Sequence, residues 1–86
     1  MERQEIIDGL VEILKTVRTI NPEKLVGITE DTDFIKDLNT PSTEMINIVA
    51  KTEQKFGVEF DDDDIDDLGS KVRNVVDLIV KAKQSA

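Results

Sequence analysis

Ser42 carries the hydroxyl that is best placed for chemistry, because it falls in the first turn of a predicted helix. Thr40 is a favoured N-cap type, Pro41 suits the first helical position, and Glu44 adds an acid to the first turn. Unpaired backbone N–H groups and the positive end of the helix dipole favour a phosphate at such a turn. The sequence therefore predicts a serine that is well placed to carry a phosphodiester.

Catalysis by the chain itself is not expected. The chain has no histidine and no cysteine, so it lacks the commonest general base and a thiol of its own. Asp37 and Glu44 are the acids near Ser42 in sequence, and neither has a histidine through which to relay a proton. The 86 residues, 1–86, are expected to form one small domain without a cleft that could raise a carboxyl pKa. We therefore predict no catalytic residue, and any thiol used in function must come from a prosthetic group.

Charge and hydropathy limit the classes of partner. The formal net charge is −8, which disfavours nucleic acid and anionic membranes and favours basic protein surfaces through long-range attraction. The sequence contains no run of about 18 apolar residues and no signal-peptide pattern. We expect a cytoplasmic, monomeric chain without stable membrane insertion.

An acidic run from residue 61 to residue 67 raises the question of a metal site, since carboxylates are suitable ligands for calcium or magnesium. An EF-hand loop starting at Asp61 would need glycine where Asp66 stands and glutamate where Val72 stands, and the loop starting at Asp63 fails in the same way. We therefore predict no metal site. Asp61 is expected to cap a short helix, and the other acids to form a solvated surface that binds counterions weakly.

Apolar residues at three- and four-residue spacing predict an all-α chain with four helices. The predicted helices run from about Glu2 to Thr19, about Pro41 to Phe56, about Asp62 to Leu68, and Lys71 to about Lys83. A long connection from Asn21 to Asn39 contains a predicted helical turn at Pro22 to Val26, with Phe34 and Leu38 as apolar anchors. The expected architecture is a four-helix bundle with a short third helix and a long loop between helices 1 and 2.

Three segments resemble the acyl carrier protein family. They are Phe34-Ile35-Lys36-Asp37-Leu38, then Ser42, then the apolar helix that closes on Phe56-Gly57-Val58-Glu59-Phe60. The resemblance implies a 4′-phosphopantetheine arm on Ser42, whose thiol holds an acyl or aminoacyl group as a thioester. It also implies a phosphopantetheinyl transferase and acyl-loading and acyl-transferring enzymes with basic docking surfaces as partners, in fatty acid, polyketide or other specialised acyl biosynthesis.

The same resemblance implies a pocket in the bundle core that can shelter the acyl chain. Its expected lining is Val49, Thr52, Phe56, Val75 and Ile79. All five fall on the apolar faces of the predicted second and fourth helices, so each is a core residue first and a pocket residue second.

Around the serine the sequence departs from the family pattern. The family usually has Asp-Ser-Leu at the modified position, where this chain has Pro41-Ser42-Thr43. Asn39-Thr40 stands in place of the family's glycine and its following residue, which changes the backbone freedom before the helix. These differences leave a second interpretation open, a carrier-like docking or interaction module that is never modified. A third is an acidic helical adaptor with weak cation binding.

The second helix is also less acidic than its family counterpart. Asn47 stands where an acid is usual, and Lys51 and Lys55 add positive charge. These departures thus predict a specialised carrier and not the carrier of a housekeeping fatty acid synthase. The predicted recognition face consists of Glu44, Ile46, Asn47 and Ala50. Ile46 and Ala50 have an equally good alternative role, as residues that widen the apolar core stripe.

Overall fold

The computed structural model describes residues 2–85, with side chains to Gln84, so Met1 and Ala86 of the expected single domain lie outside the described residues. The element order is α1 (Arg3–Leu14), a 3₁₀ turn (Pro22–Leu25), α2 (Ser42–Phe56), α3 (Asp62–Asp66) and α4 (Val72–Ser85). The prediction of an all-α bundle with a short third helix and a long loop before the second is confirmed. Within residues 2–85 no helix combines the length and apolar character needed to cross a bilayer.

The first helix ends earlier than the sequence predicted, at Leu14 instead of Thr19. The backbone N–H of Thr16 bonds to the Ile13 carbonyl and that of Val17 to the Leu14 carbonyl, each at 3.0 Å. The Thr16 hydroxyl donates a further bond of 2.6 Å to the Ile13 carbonyl. These bonds to carbonyls three residues back tighten the chain and end the regular helix. The other predicted helix boundaries agree with the structure within two residues.

The core lies where α1 packs against α2 and α4. Gly9 of α1 faces the ring of Phe56 so closely that a Cβ at Gly9 would lie 2.6 Å from Phe56 Cζ. A glycine at this point of α1 therefore allows the two helices to approach. The fully buried apolar side chains of the core are Ile6, Leu10, Leu14, Phe34, Leu38, Ile48, Val72, Val75, Val76 and Ile79.

The long loop between α1 and α2 is held against the start of α4 by backbone hydrogen bonds. The N–H of Phe34 donates to the Ser70 carbonyl at 2.7 Å, and the N–H of Val72 donates to the Thr32 carbonyl at 2.9 Å. Phe34 itself is 0% exposed, so its ring anchors the loop in the core. An isolated antiparallel bridge between Asp33 and Lys71 results from this pairing. The loop is thus an ordered part of the bundle.

Ion pairs tie the same loop to α1 and α4. The Arg3 guanidinium contacts the Glu30 carboxylate, with Nε at 2.9 Å from Oε1, and also donates to Asp77 Oδ1 at 2.8 Å. The hydrogen bond from Arg3 lowers the pKa of Glu30. Arg73 donates to Asp31 Oδ1 at 2.6 Å. These side chains range from part-buried to exposed, so solvent screening limits the stability that the ion pairs add, and their main effect is to orient the loop.

Candidate functional site

The start of α2 sets the position of Ser42. Pro41 has an extended backbone (φ −61°, ψ 145°) and occupies the N-cap position, and Ser42 is the first helical residue. The N–H of Glu44 bonds to the Pro41 carbonyl at 2.9 Å, which closes the first turn. Because Pro41 cannot donate a hydrogen bond, its place just before the helix leaves no donor unpaired. The Ser42 side chain is exposed.

The prediction that Thr40 caps α2, with Pro41 as the first helical residue, is wrong by one position. The backbone N–H of Thr40 bonds to the Phe34 carbonyl at 2.9 Å, which draws Thr40 into the protein, where it is 1% exposed. Its hydroxyl has no hydrogen-bond partner among the described residues. The tertiary bond to Phe34 thus overrides the local preference of threonine for capping.

Asn39 adopts a left-handed conformation, with φ of 54°. Asparagine visits this region more readily than other residues with a Cβ, and glycine visits it freely. This turn directs the chain from Leu38, which is buried, to the start of α2. A residue type that tolerates positive φ therefore stands where the family resemblance implied glycine.

Asp33 organises the loop that precedes Ser42. Its Oδ1 accepts the backbone N–H groups of Ile35 and Lys36, both at 2.8 Å, and its Oδ2 accepts the Ser70 hydroxyl at 2.9 Å. The N–H of Asp33 in turn donates to Asp37 Oδ2 at 2.8 Å. Asp33 is 8% exposed, so its carboxylate is satisfied within the protein.

These hydrogen bonds favour the charged carboxylate. The N–H of Lys36 is the largest cause that lowers the pKa of Asp33, and the Ser70 hydroxyl and the N–H of Ile35 act in the same direction against the effect of burial. Asp33 therefore stays ionised at neutral pH. The sequence did not predict the hydrogen bonds of Asp33 and Ser70. The sequence did contain a clue to these bonds. Aspartate and serine side chains directly before a structured segment often hydrogen-bond to nearby backbone groups.

An apolar groove of about 210 Å³ opens beside Ser42. It lies between α2 and the segment from α3 to Ser70. Residues of α2 and α3 thus form helical walls, and residues outside the helices, among them Gly69 and Ser70, complete the groove. Its side-chain lining is mostly apolar: Ile35, Met45, Ile46, Val49, Ile65 and Leu68.

The five residues expected to shelter an acyl chain occupy two different places. Val49 lines the groove beside Ser42. Phe56, Val75 and Ile79 lie in the packed core, and Thr52 is fully buried with its hydroxyl donating to the Ile48 carbonyl at 2.7 Å. The hydroxyl of Thr52 is therefore satisfied within its own helix. The space next to Ser42 is formed by α2 and the α3 side of the bundle.

The four residues of the predicted recognition face do not share one environment. Ile46 is 70% exposed, and Asn47 and Ala50 are also exposed, whereas Glu44 is half-buried. Of the four, Ile46 lines the groove together with Ser42.

The acidic run lies at α3. Asp61 occupies the N-cap position, but its side chain makes no capping hydrogen bond, unlike the expectation from sequence. Asp64 pairs with Lys81 at 3.4 Å. Within residues 2–85 no three acidic side chains come together in a way that could hold a metal ion.

Comparisons with known proteins agree with this geometry, although no protein-family model matches the chain. It is 40% identical over 57 residues to the meromycolate extension acyl carrier protein of Mycolicibacterium aurum, which covers 66% of this chain and 56% of that protein. It is 37% identical over 59 residues to the acyl carrier protein of Coprothermobacter proteolyticus, which covers 69% and 68% of the two chains.

The match spans 56% and 54% of the meromycolate extension acyl carrier proteins of two Mycolicibacterium species, so about half the length of these relatives. The solved structure of the acyl carrier protein from Enterococcus faecalis superposes with a TM-score of 0.68 at 27% identity, over 95% of this chain and 99% of that chain. Shared sequence over most of one relative and a shared fold lead to the same conclusion: this chain belongs to the acyl carrier protein family.

Proposed function

We propose that the chain carries acyl groups on a 4′-phosphopantetheine arm attached to the Oγ of Ser42. The observation that carries this proposal is the position of Ser42, exposed at the first residue of a 15-residue helix and at the edge of an apolar groove. When bound, the group supplies a terminal thiol on which an acyl group is held as a thioester. We further infer that residues 1–86 work as one carrier domain.

The residues around Ser42 fit such a group. The first N–H groups of α2 have no acceptor within the helix, so they can stabilise the negative phosphodiester. Ile35, Met45 and Val49 give the adjoining groove apolar walls along which an arm and the start of an acyl chain can lie. Asn39 and the bonds of Asp33 hold the preceding loop, which keeps Ser42 at the surface.

The hydrogen bonds of the acids near Ser42 support a carrier role in which the chain itself does not catalyse a reaction. The Asp37 carboxylate accepts the N–H of Asp33. Among residues 2–85 no carboxylate is hydrogen-bonded to the Ser42 hydroxyl, as a serine nucleophile with its own base would require. We therefore propose that a phosphopantetheinyl transferase supplies the base and that acyl-loading and acyl-transferring enzymes use the loaded chain. Two mycolic relatives are named for meromycolate extension, which supports an acyl cargo.

Intact mass spectrometry tests the proposal. The folded chain and its Ser42→Ala variant are incubated with coenzyme A and each of several broad-specificity phosphopantetheinyl transferases. We expect the parent to gain the mass of one phosphopantetheine and the variant to gain none. Thr19→Ala serves as the matched control, because Thr19 carries an exposed hydroxyl outside α2 and its loss should leave the gain intact.

The proposal would be overturned if the parent chain gained no mass although circular dichroism shows it to be helical. It would favour the unmodified docking module, for which the replacement of an acid by Pro41 before the serine is the supporting observation.

A further inference from the structure

One carboxylate, that of Asp33, joins two of the segments that line the groove beside Ser42. Asp33 Oδ1 accepts the backbone N–H groups of Ile35 and Lys36, both at 2.8 Å, and Ile35 lines the groove from the loop before α2. Asp33 Oδ2 accepts the hydroxyl of Ser70 at 2.9 Å, and Ser70 lines the groove from the segment after α3. We call these three hydrogen bonds the Asp33 clamp.

The Asp33 clamp contains one bond that can open without separating the backbone of the two segments. Asp33 is 8% exposed and its hydrogen bonds lower its pKa, so a charged carboxylate accepts the Ser70 hydroxyl at neutral pH. The Phe34 N–H donates to the Ser70 carbonyl, and the Val72 N–H donates to the Thr32 carbonyl. These backbone bonds do not involve the carboxylate. Loss of the side-chain bond therefore releases the segment before Ser70 while its last residue stays attached.

The segment that the clamp restrains depends on contacts with the rest of the chain. It begins with α3, a helix of 5 residues, which is too short to be stable alone. Ile65 and Leu68 are half-buried and turn toward the groove that they line. Asp64 pairs with Lys81 at 3.4 Å, but the Lys81 side chain is largely exposed, so this ion pair is weak. The bond from Ser70 to Asp33 is thus an important side-chain contact of this segment.

We propose that Asp33 is a positioning residue, which acts through Ser70 to hold the segment from α3 to Ser70 near the loop before α2, so that the groove encloses an acyl group carried from Ser42. Opening of the bond between Ser70 and Asp33 widens the groove and exposes the acyl group and its thioester to solvent. This inference rests on the proposed function, because the acyl group reaches the groove from an arm on Ser42. Enclosure removes apolar surface from water, which favours the closed groove when cargo is present.

Ser70→Ala tests the clamp, because it removes the hydroxyl and leaves the bonds of Asp33 to the Ile35 and Lys36 backbone in place. A phosphopantetheinyl transferase that accepts the parent attaches the arm from acetyl-coenzyme A or from octanoyl-coenzyme A. Hydroxylamine then cleaves each thioester to a hydroxamate and frees the thiol of the arm. The cleavage rate, divided by the rate for the same acyl group on coenzyme A, measures the exposure of the thioester.

We expect the octanoyl parent to be cleaved more slowly than the acetyl parent, since the acetyl group is too short to be held by the groove. Ser70→Ala should raise the octanoyl rate about fivefold, the factor by which one hydrogen bond of ordinary net strength shifts an equilibrium, and leave the acetyl rate unchanged. Ser70→Thr keeps a hydroxyl and should behave as the parent. In an Asp33→Asn chain the bond is no longer charge-assisted, so Ser70→Ala should have a smaller effect there.

Arg73→Gln is the matched control. It removes the ion pair of 2.6 Å between Arg73 and Asp31, which also joins the loop to α4 but lies at exposed side chains outside the groove lining. This variant should leave the octanoyl rate nearly unchanged.

The clamp has a second readout that needs no arm. Ser70→Ala should shift the methyl resonances of Ile35 and Ile65, which line the groove from the two joined segments. The methyl resonances of Ile7 and Ile13, which are buried in the core, should not move. This pattern would separate local opening of the groove from general loosening of the bundle.

An octanoyl rate in Ser70→Ala equal to that of the parent would overturn the inference. Acceleration of the acetyl and octanoyl rates by the same factor, or equal acceleration by Arg73→Gln, would overturn it too, because either result shows loosening that is not specific to the groove. If no transferase attaches an arm to the parent, the proposed function fails instead. The isoleucine resonances would then still decide whether the bond from Ser70 to Asp33 holds the two segments together.

Discussion

The hydroxyl of Ser70 donates a 2.9 Å hydrogen bond to Oδ2 of Asp33 across 37 residues of sequence. The Ser70 carbonyl accepts the N–H of Phe34 at 2.7 Å, so two parallel contacts join the loop before α2 to the segment before α4. Ser42 follows this junction closely in the chain. Its position therefore depends on residues at the opposite side of the groove.

Replacement of Asp33 by asparagine should weaken this junction. In Asp33→Asn one carboxylate oxygen becomes an amide NH₂ group, so either Ser70 or the two loop N–H groups lose an acceptor. We expect a lower midpoint in urea unfolding at pH 7, followed by circular dichroism. Asp63→Asn is the control, since Asp63 is an exposed acid. Equal midpoints for the parent and Asp33→Asn would contradict the role assigned to Asp33.

The lowered pKa of Asp33 also predicts that the free energy of unfolding changes with pH in acid solution. Because the folded state holds the carboxylate ionised more strongly than the unfolded chain does, its contribution is fully present above about pH 4, the ordinary pKa of aspartate. It is lost as the pH falls through the lower folded pKa. The free energy of unfolding of the parent should fall over this range more steeply than that of Asp33→Asn. Parallel pH curves would show that Asp33 has no part in the acid sensitivity.

Thr40→Val should stabilise the protein. The buried hydroxyl of Thr40 has no hydrogen-bond partner within residues 2–85, and valine has the same branched shape without the polar atom. Removal of a buried unpaired hydroxyl should raise the free energy of unfolding by about 1 kcal/mol. Thermal and urea unfolding give the value. Thr19→Val, at an exposed position, should change it by less than about 0.5 kcal/mol. A destabilised Thr40→Val would indicate that the hydroxyl is satisfied in solution.

Asn39 should tolerate glycine but not alanine. Its φ of 54° is a region where a Cβ is unfavourable and where asparagine is an accepted exception. We expect Asn39→Ala to lower the free energy of unfolding by about 1 kcal/mol and Asn39→Gly to leave it unchanged or slightly higher. Urea unfolding of the two variants measures the difference. Equal loss in both would mean that the asparagine side chain, and not the backbone conformation, matters at this turn.

Gly9→Ala should destabilise the bundle although alanine is the better helix former. The added Cβ would lie 2.6 Å from Phe56 Cζ, and overpacking of this kind costs about 1–3 kcal/mol, more than the roughly 1 kcal/mol gained in helix propensity.

The double variant Gly9→Ala with Phe56→Leu tests the cause of that loss. Leucine removes the ring atoms that the new Cβ would meet, so the effect of Gly9→Ala should shrink or change sign in the Phe56→Leu background. If the effects of the two substitutions simply add, the destabilisation by Gly9→Ala does not arise from the contact with Phe56.

The helices and the place of Ser42 follow from local sequence. The apolar spacing of α2 predicts its extent within one residue, and Gly57 ends it in a left-handed conformation with φ of 66°. The features that local sequence does not predict depend on contacts with other parts of the chain. Thr40 has the local character of a cap, but its N–H bonds to Phe34 and its side chain is buried.

The hydrogen bonds around the site are less predictable for the same reason. Asp33 and Ser70 are common residue types in loops, and only the folded chain brings them together. The direction of Lys51 likewise depends on Thr16, which lies in a turn that the sequence assigned to a longer helix. Local patterns thus predict where the serine stands, whereas the partners of the lysines of α2 depend on how α1 and α2 pack.

The hydrogen bonds that join Ser70 and Val72 to the loop before α2 also affect the order in which parts of the chain can fold. During synthesis Ser42 emerges from the ribosome well before these residues do, so α2 can form while the loop in front of it still lacks its partners. The junction in front of α2 is complete only after the start of α4 has reached it. The loop therefore becomes fixed later than the residues of α2 that it positions are synthesised.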